Sequence, residues 1–296
     1  MIKILITGAN GQLGQSFQAS ESLAAHLGIE LIFADRKALD ITQPESIEQY
    51  CRKINLSAIV NAAAYTAVDQ AESEIELATL VNAVGPKNLA TYCQKNTLAF
   101  IHVSTDYVFN GEATGAYKET DPVDPLGVYG KTKYAGEVAV LDALPSAIIL
   151  RTSWVFSEFN NNFLKTMLRL TVDRDTLSIV ADQWGAPTYA PHIAEAILAI
   201  LNPNSPLITG GVYHFSGHKK TNWQLFATFI FEQKCLYDAS FNMPQVLPIT
   251  TDQYPTPAAR PMNSHLSNQK ILAVLPNLNC DWQQGVMRSL HALQKS

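Results

Sequence analysis

Charge is sparse in this chain: only 16% of its residues are Asp, Glu, Lys or Arg, and acidic residues outnumber basic ones by 26 to 21. A net charge of -5 leaves no clustered excess of Lys and Arg to cover a polyanion, which argues against a nucleic-acid-binding surface. Any anionic ligand has to be met by local donors. Cysteine is equally scarce. Cys51, Cys93, Cys235 and Cys280 stand far apart with no C-x-x-C pair, so neither a zinc site nor a disulfide framework is indicated, and the thiols suit a reducing compartment. No run approaches the roughly 18 apolar residues of a membrane helix. The first residues enter a strand pattern directly, where a secretory leader would show a basic and then an apolar stretch. Cytoplasmic residence, without a membrane partner, is the expectation. Repeats and low-complexity segments are also missing. The 47% hydrophobic content is that of a globular protein, one large domain or two sharing an interface.

What is present is concentrated at the start. Residues 1–14 read MIKILITGANGQLG, a short β-branched strand running into Gly8, Gly11 and Gly14. Glycines at this spacing let the chain turn tightly, approach a phosphate closely and pack a helix on the strand, so the stretch reads as a dinucleotide cradle formed by Gly8, Asn10, Gly11, Gln12, Leu13 and Gly14.

Beyond it, strand and helix alternate. A helix is expected over residues 15–25 and a strand over 30–34 that ends in Asp35, where a dinucleotide fold places a carboxylate on the adenosine ribose. Asp35 favours NAD, whereas Arg36 and Lys37 suit the 2′-phosphate of NADP. Pro44 starts a helix over 45–53, and a third buried strand at 57–63 leads into a small-residue turn that lets a cofactor lie across the strand end. Residues 74–95 carry leucines and valines at helical spacing, with a local irregularity expected at Gly85-Pro86. A fourth strand over 99–105, a loop to Val128, a helix over 129–141 and a strand over 147–155 follow. This order predicts an α/β fold with a doubly wound, parallel, Rossmann-type sheet whose ligand crevice lies at the carboxyl ends of the strands. The later pattern is less regular: helices at 163–170, 191–201 and 223–232, strands at 177–180 and 212–215, a proline-rich turn at 254–257, a helix starting near Ser267 and a last helix at 282–293. The expected division is a dinucleotide-binding domain over 1–156, completed by 190–217, and a smaller discontinuous substrate lobe over 157–189 and 218–296.

Tyr129 and Lys133 are four residues apart on one helical face. An ammonium beside a phenol lowers its pKa toward the working range and makes tyrosine a usable proton donor, which is what reduction of a ketone requires as hydride arrives at carbon. Ser104 or Thr105, at the end of the fourth strand, can hydrogen-bond the same carbonyl.

TGANGQLG at residues 7–14, Tyr129-Gly130-Lys131-Thr132-Lys133 and Ser104-Thr105-Asp106-Tyr107-Val108-Phe109 together resemble the extended short-chain dehydrogenase/reductase superfamily. Within it, the segments VNAAAYTAVD (60–69), RTSWVF (151–156), DQWGAPT (182–188) and YPTPAARP (254–261) are similar to the dTDP-4-dehydrorhamnose reductase family over nearly the whole chain. The resemblance implies reduction of the C4 ketone of a dTDP-linked deoxysugar by NADPH or NADH, with no choice between the two. It implies that Gly11, Gln12 and Leu13 line the pyrophosphate, that Asp35, Asp40 and Ile41 contact the adenosine half, and that Ala64, Tyr65 and Thr66 run beside the nicotinamide half. Tyr129 would donate the proton, Lys133 hold the nicotinamide ribose, and Thr105 polarise the ketone. Asp106 and Trp154 would touch the sugar, and Asn162, Gln183 and Arg260 the diphosphate side. Some relatives use a magnesium-linked dimer; this sequence shows no acidic cluster assignable to a metal, and a homodimer remains open. Tyr65 stands where some relatives have His. Two other readings share these motifs: a non-catalytic nucleotide-binding subunit resembling the regulatory subunit of methionine adenosyltransferase, and a different nucleotide-sugar reductase or epimerase.

Overall fold

The computed structural model describes residues 1–295; residue 296, the end of the expected second lobe, lies outside them. Six strands form the main sheet: β1 (Ile2–Thr7), β2 (Ile29–Ala34), β3 (Ala58–Asn61), β4 (Ala99–Thr105), β5 (Ile148–Thr152) and β6 (Gly211–His214). They lie in the order β2-β1-β3-β4-β5-β6, every neighbouring pair parallel. The chain steps outward from β1 to β2 and then returns to the other side of β1, so the direction of winding reverses between β1 and β3. Ligands bind at such a switch point.

Alternation along the strands sets two cores. Ile4, Ile6, Val60, Ile101 and Leu150 face one side, under helices α1 (Gln12–Ala19) and, later in the chain, Ala190–Leu201, with Phe17, Ile193 and Ile197 packed between. Leu5, Ile59, Phe100 and Ile149 face the other, under α2 (Pro44–Cys51), α3 (Gly85–Asn96) and α4 (Val128–Ala143). Strands covered on both faces explain the near-continuous apolar runs in the sequence. The parallel, doubly wound sheet is the one predicted.

A third core gathers residues far apart in sequence, among them Phe156, Leu164, Ile179, Phe226, Trp282 and Val286. Short ribbons frame it: Thr176–Val180 pairs in parallel with Gln245–Ile249, and Val155–Phe156 with Thr188–Tyr189.

Local differences from expectation have local causes. The first helix is two, Gln12–Ala19 and Glu21–His26, because the Ser16 and Ser20 hydroxyls bond back to the carbonyls four residues earlier, a habit that bends helices. The long helix around Gly85-Pro86 contains a π-helical turn, Leu80–Val84, since Pro86 has no N–H and its ring crowds the carbonyl four residues back, that of Asn82. The fifth strand stops at Thr152 because Trp154 adopts a left-handed backbone, φ 47°, which redirects Val155–Phe156 to another partner. The strand Gln245–Ile249 was not expected; Pro248 inside it masks the pattern and is tolerated at the rim of a two-stranded ribbon.

Candidate active site

A cleft of about 970 Å³ opens over the carboxyl ends of β1 to β5. Its floor begins at the glycine turn. Gly8 takes φ +70°, and a Cβ there would sit 2.8 Å from the backbone of Ala62 and Ala63, so only glycine lets β1 and β3 close up at the switch point. Gly14 does not line the cleft; it packs α1 against the Gly8 and Ala9 carbonyls. The first turn of α1 has no side-chain cap, leaving the backbone N–H groups of Gln12 and Leu13 without one at the cleft, while the Gly11 N–H donates back to the Gly8 carbonyl at 2.9 Å.

At one end of the cleft Asp35 accepts hydrogen bonds from the N–H groups of Lys37 and Ala38 at 3.0 and 2.9 Å and from Asn10 Nδ2 at 3.2 Å. The Ala38 bond, with help from Asn10 and Lys37, holds its carboxyl below the usual range. Arg36, Asp40 and Ile41 line the same end. Asp40 turns its carboxylate inward onto the Thr42 N–H and hydroxyl, at 3.0 and 2.7 Å, so it shapes the loop. Ala64, Tyr65 and Thr66 form the wall beyond β3. The backbone of Tyr65 is clamped at both its groups by Asn82, whose Oδ1 accepts at 2.9 Å and whose Nδ2 donates at 3.1 Å. Asn82 is buried within the π-helical turn and was missed in the sequence; the irregularity at Gly85-Pro86 was its only signal.

The opposite end holds the polar residues of β4 and α4. Thr105, Asp106, Tyr129 and Lys133 all line the cleft; Thr105, Asp106 and Lys133 are buried and Tyr129 is half-buried. Thr105 donates to Asp106 Oδ1 at 3.0 Å, and its oxygen accepts the Tyr107 N–H. Burial pushes the Asp106 carboxyl up to about 6, despite the Ser264 and Thr105 hydroxyls that favour its charged form. Lys133 Nζ donates to the Val103 carbonyl at 2.7 Å; burial brings the lysine down to about 8, opposed by the charge of Glu137. The expected acidification of Tyr129 is not what the structure has. Burial raises its phenol to about 12, the Thr105 hydroxyl opposing this only in part and the charge of Asp106 adding to it. Tyr129 is therefore held fully protonated, the state a proton donor needs.

Beneath these groups, Glu137 of α4 receives Arg151 of β5 through two nitrogens, at 2.6 to 3.2 Å, and the Ser104 hydroxyl of β4. Both charged side chains are almost fully buried. Ser104 is thus engaged in this buried network, whereas the Thr105 hydroxyl is shared with Asp106 and the Tyr107 N–H at the cleft.

Of the residues expected to meet a substrate, Trp154 lines the cleft and stacks on Trp223 with ring centroids 3.5 Å apart; its Nε1 donates to Ser264. Asn162, Gln183 and Arg260 do not line it. Asn162 caps the helix Phe163–Leu170 and donates to Gln12 Oε1 at 3.0 Å, while Ser157 donates to the same oxygen and Asn160 to the Asn10 carbonyl. Gln183 joins Thr251 to Trp223. Arg260 forms an ion pair with Asp69 at 2.9 Å and also holds Thr256. Among the described residues no three His, Cys, Asp or Glu side chains gather as a metal-ligating group, and no helix is long and apolar enough to cross a membrane.

Comparison with known proteins agrees with this geometry. The family model of the RmlD substrate binding domain matches residues 2–295. The dTDP-4-dehydrorhamnose reductase of Aggregatibacter actinomycetemcomitans is 44% identical over 291 residues, 97% of each chain. Among solved structures, the dTDP-4-dehydrorhamnose reductase of Clostridium acetobutylicum superposes with a TM-score of 0.90 at 35% identity, covering 99% of this chain and 100% of that one. That of Bacillus anthracis, solved in complex with NADP, gives 0.89 at 35% identity over the same shares. The chain belongs to the dTDP-4-dehydrorhamnose reductase family.

Proposed function

We propose that the protein reduces the C4 ketone of dTDP-4-dehydro-L-rhamnose to dTDP-L-rhamnose with NADPH or NADH, the last step in making that nucleotide sugar, and does so in the cytoplasm. The observation that carries this is the convergence of Thr105, Tyr129 and Lys133 on the cleft that begins at the glycine turn.

The residues present fit a dinucleotide. Gly8 lets β1 and β3 close up beneath the cleft, and the uncapped first turn of α1 offers N–H groups for a pyrophosphate. Gly11, Gln12 and Leu13 would hold it; Asp35, with Asp40 and Ile41 behind it, would take the adenosine half, and Ala64, Tyr65 and Thr66 the nicotinamide half. Asp35 suits the two ribose hydroxyls of NADH, while Arg36 at the same rim suits a 2′-phosphate. When bound, the reduced cofactor supplies the hydride.

This chain supplies the proton and the electrostatics. Thr105 hydrogen-bonds the ketone oxygen and aligns it with the Tyr129 phenol. As negative charge develops on that oxygen it becomes far more basic than a phenolate, so a tyrosine that keeps its proton at neutral pH still transfers it at that moment. Lys133, one helical turn away, holds the nicotinamide ribose and stabilises the phenolate that forms. Asp106 and the Trp154 face position the sugar ring. Asn162, Gln183 and Arg260 act on the diphosphate side indirectly, by fixing Gln12, Trp223 and the 256–260 turn. An intact Thr105, Tyr129 and Lys133 set favours an enzyme over a non-catalytic nucleotide-binding subunit.

Loss of reduced-cofactor absorbance on adding the dTDP-ketosugar tests the reading. No consumption with either cofactor would refute it, and preference for another nucleotide ketosugar would move the protein to a different reductase.

A further inference from the structure

The surroundings of Lys133 Nζ are fixed by the sheet beneath it. Nζ meets Nε2 of His102, a fully buried side chain of β4, at 3.4 Å. The other ring nitrogen, Nδ1, lies 3.0 Å from Asn61 Nδ2 on β3. Asn61 has only one way round. Its Oδ1 faces the Ala63 N–H at 3.2 Å, a group that can only donate, and also accepts the Thr7 hydroxyl at 2.6 Å. The amide NH2 therefore faces His102, Nδ1 has to accept, and the neutral imidazole carries its proton on Nε2, the nitrogen aimed at Lys133. Burial, joined by the nearby lysine charge, keeps that ring neutral by holding its pKa well below the ordinary value.

A donor thus points at the lysine. Against the ammonium, the contact sets an N–H dipole against a positive charge. Against the amine it is a hydrogen bond, His102 donating to the Nζ lone pair while Nζ still donates to Val103. We propose that His102, its tautomer locked by Asn61 and Thr7, is a positioning residue that makes the Lys133 ammonium a stronger acid and so readies it to reprotonate Tyr129. This rests on the reductase reading of the cleft. The protons balance as follows: the Tyr129 O–H bond breaks as the product O–H forms, an N–H bond of the Lys133 ammonium breaks as the phenol O–H re-forms, and the amine is reprotonated from solvent. The other titratable groups are accounted for. Glu137, on the same helix, favours the ammonium but is itself bound by Arg151 of β5, Tyr129 sits one turn earlier, and Asp106 lies at the end of β4.

Two measurements test this. Long-range nitrogen–proton spectra of protein with nitrogen-15 histidine read the tautomer directly, His102 being assigned by the signals lost in His102→Gln. The expected pattern is a bare Nδ1 and a protonated Nε2 from about pH 6 to 9; a proton on Nδ1, or on both nitrogens, overturns the proposal. The Lys133 titration, followed by labelled lysine, is expected near 8 in the unaltered protein. In His102→Leu it should move up by about one pH unit, a tenfold smaller amine fraction, with His102→Gln between the two. An unmoved titration in a folded His102→Leu protein also overturns it. Neither readout needs turnover: a protein with this tautomer and titration but no ketosugar reduction would defeat the reductase reading while upholding the contact between His102 and Lys133.

Discussion

Replacing Asp106 by asparagine removes a charge that the fold holds at a loss. The carboxyl is fully buried at the end of β4, and burial lifts its pKa from the ordinary 3.8 to about 6. The native protein binds that proton more tightly than the unfolded chain does. Between about pH 4 and 6 the folded state accordingly holds the extra proton, and stability falls as pH rises through this window; above it the loss is complete. At about 1.36 kcal/mol per pH unit, a rise of this size costs about 3 kcal/mol at neutral pH. Asparagine keeps an oxygen to accept from Thr105 and carries no charge. Asp106→Asn should therefore raise the melting temperature by several degrees at pH 8, on the scale of roughly 2–4 °C per kcal/mol, and lose that gain near pH 4. Differential scanning calorimetry at both pH values decides it. No gain at pH 8, or an equal gain at both, would refute the account of Asp106 as a charge retained for the cleft and against stability.

Other substitutions separate the remaining roles. Tyr129→Phe should lower turnover at least about 10²-fold with cofactor affinity nearly unchanged, measured by steady-state kinetics and cofactor titration; full activity would take Tyr129 out of the chemistry. Asp35→Ala should weaken NADH more than NADPH in fluorescence titrations, and equal losses would argue against a ribose contact. Glu137→Gln leaves the buried Arg151 guanidinium without its counter-charge and should cost about 3–5 kcal/mol in urea unfolding, whereas Glu137→Leu combined with Arg151→Met should recover most of it. A loss below about 1 kcal/mol in the single variant would show that the pair is not desolvated as the structure has it.

Features set by near neighbours were legible in the sequence. The glycine turn, the carboxylate ending β2 and the pairing of Tyr129 with Lys133 depend on spacings of a few residues, and each lies where spacing puts it. Contacts that join distant segments were not. Nothing near Arg151 announces Glu137, nor does the 151–156 segment announce that Trp154 will lie against Trp223. Arg260 suits a phosphate by residue type, yet Asp69, 191 positions earlier, claims it. The Tyr129 pKa failed for a related reason: the four-residue spacing puts the lysine on the same helical face, but only the packed fold sets the loss of water and the Asp106 charge that raise the phenol.

The hydrogen bonds from Ser157, Asn160 and Asn162 to Gln12 and Asn10 tie the glycine turn to the segment that follows Trp154. A dinucleotide held on the glycine turn would stiffen the segment that follows Trp154 as well, so part of the entropy cost of ordering that segment would be met before the sugar nucleotide arrives. Linkage makes the effect reciprocal, and each ligand tightens the other by the same factor.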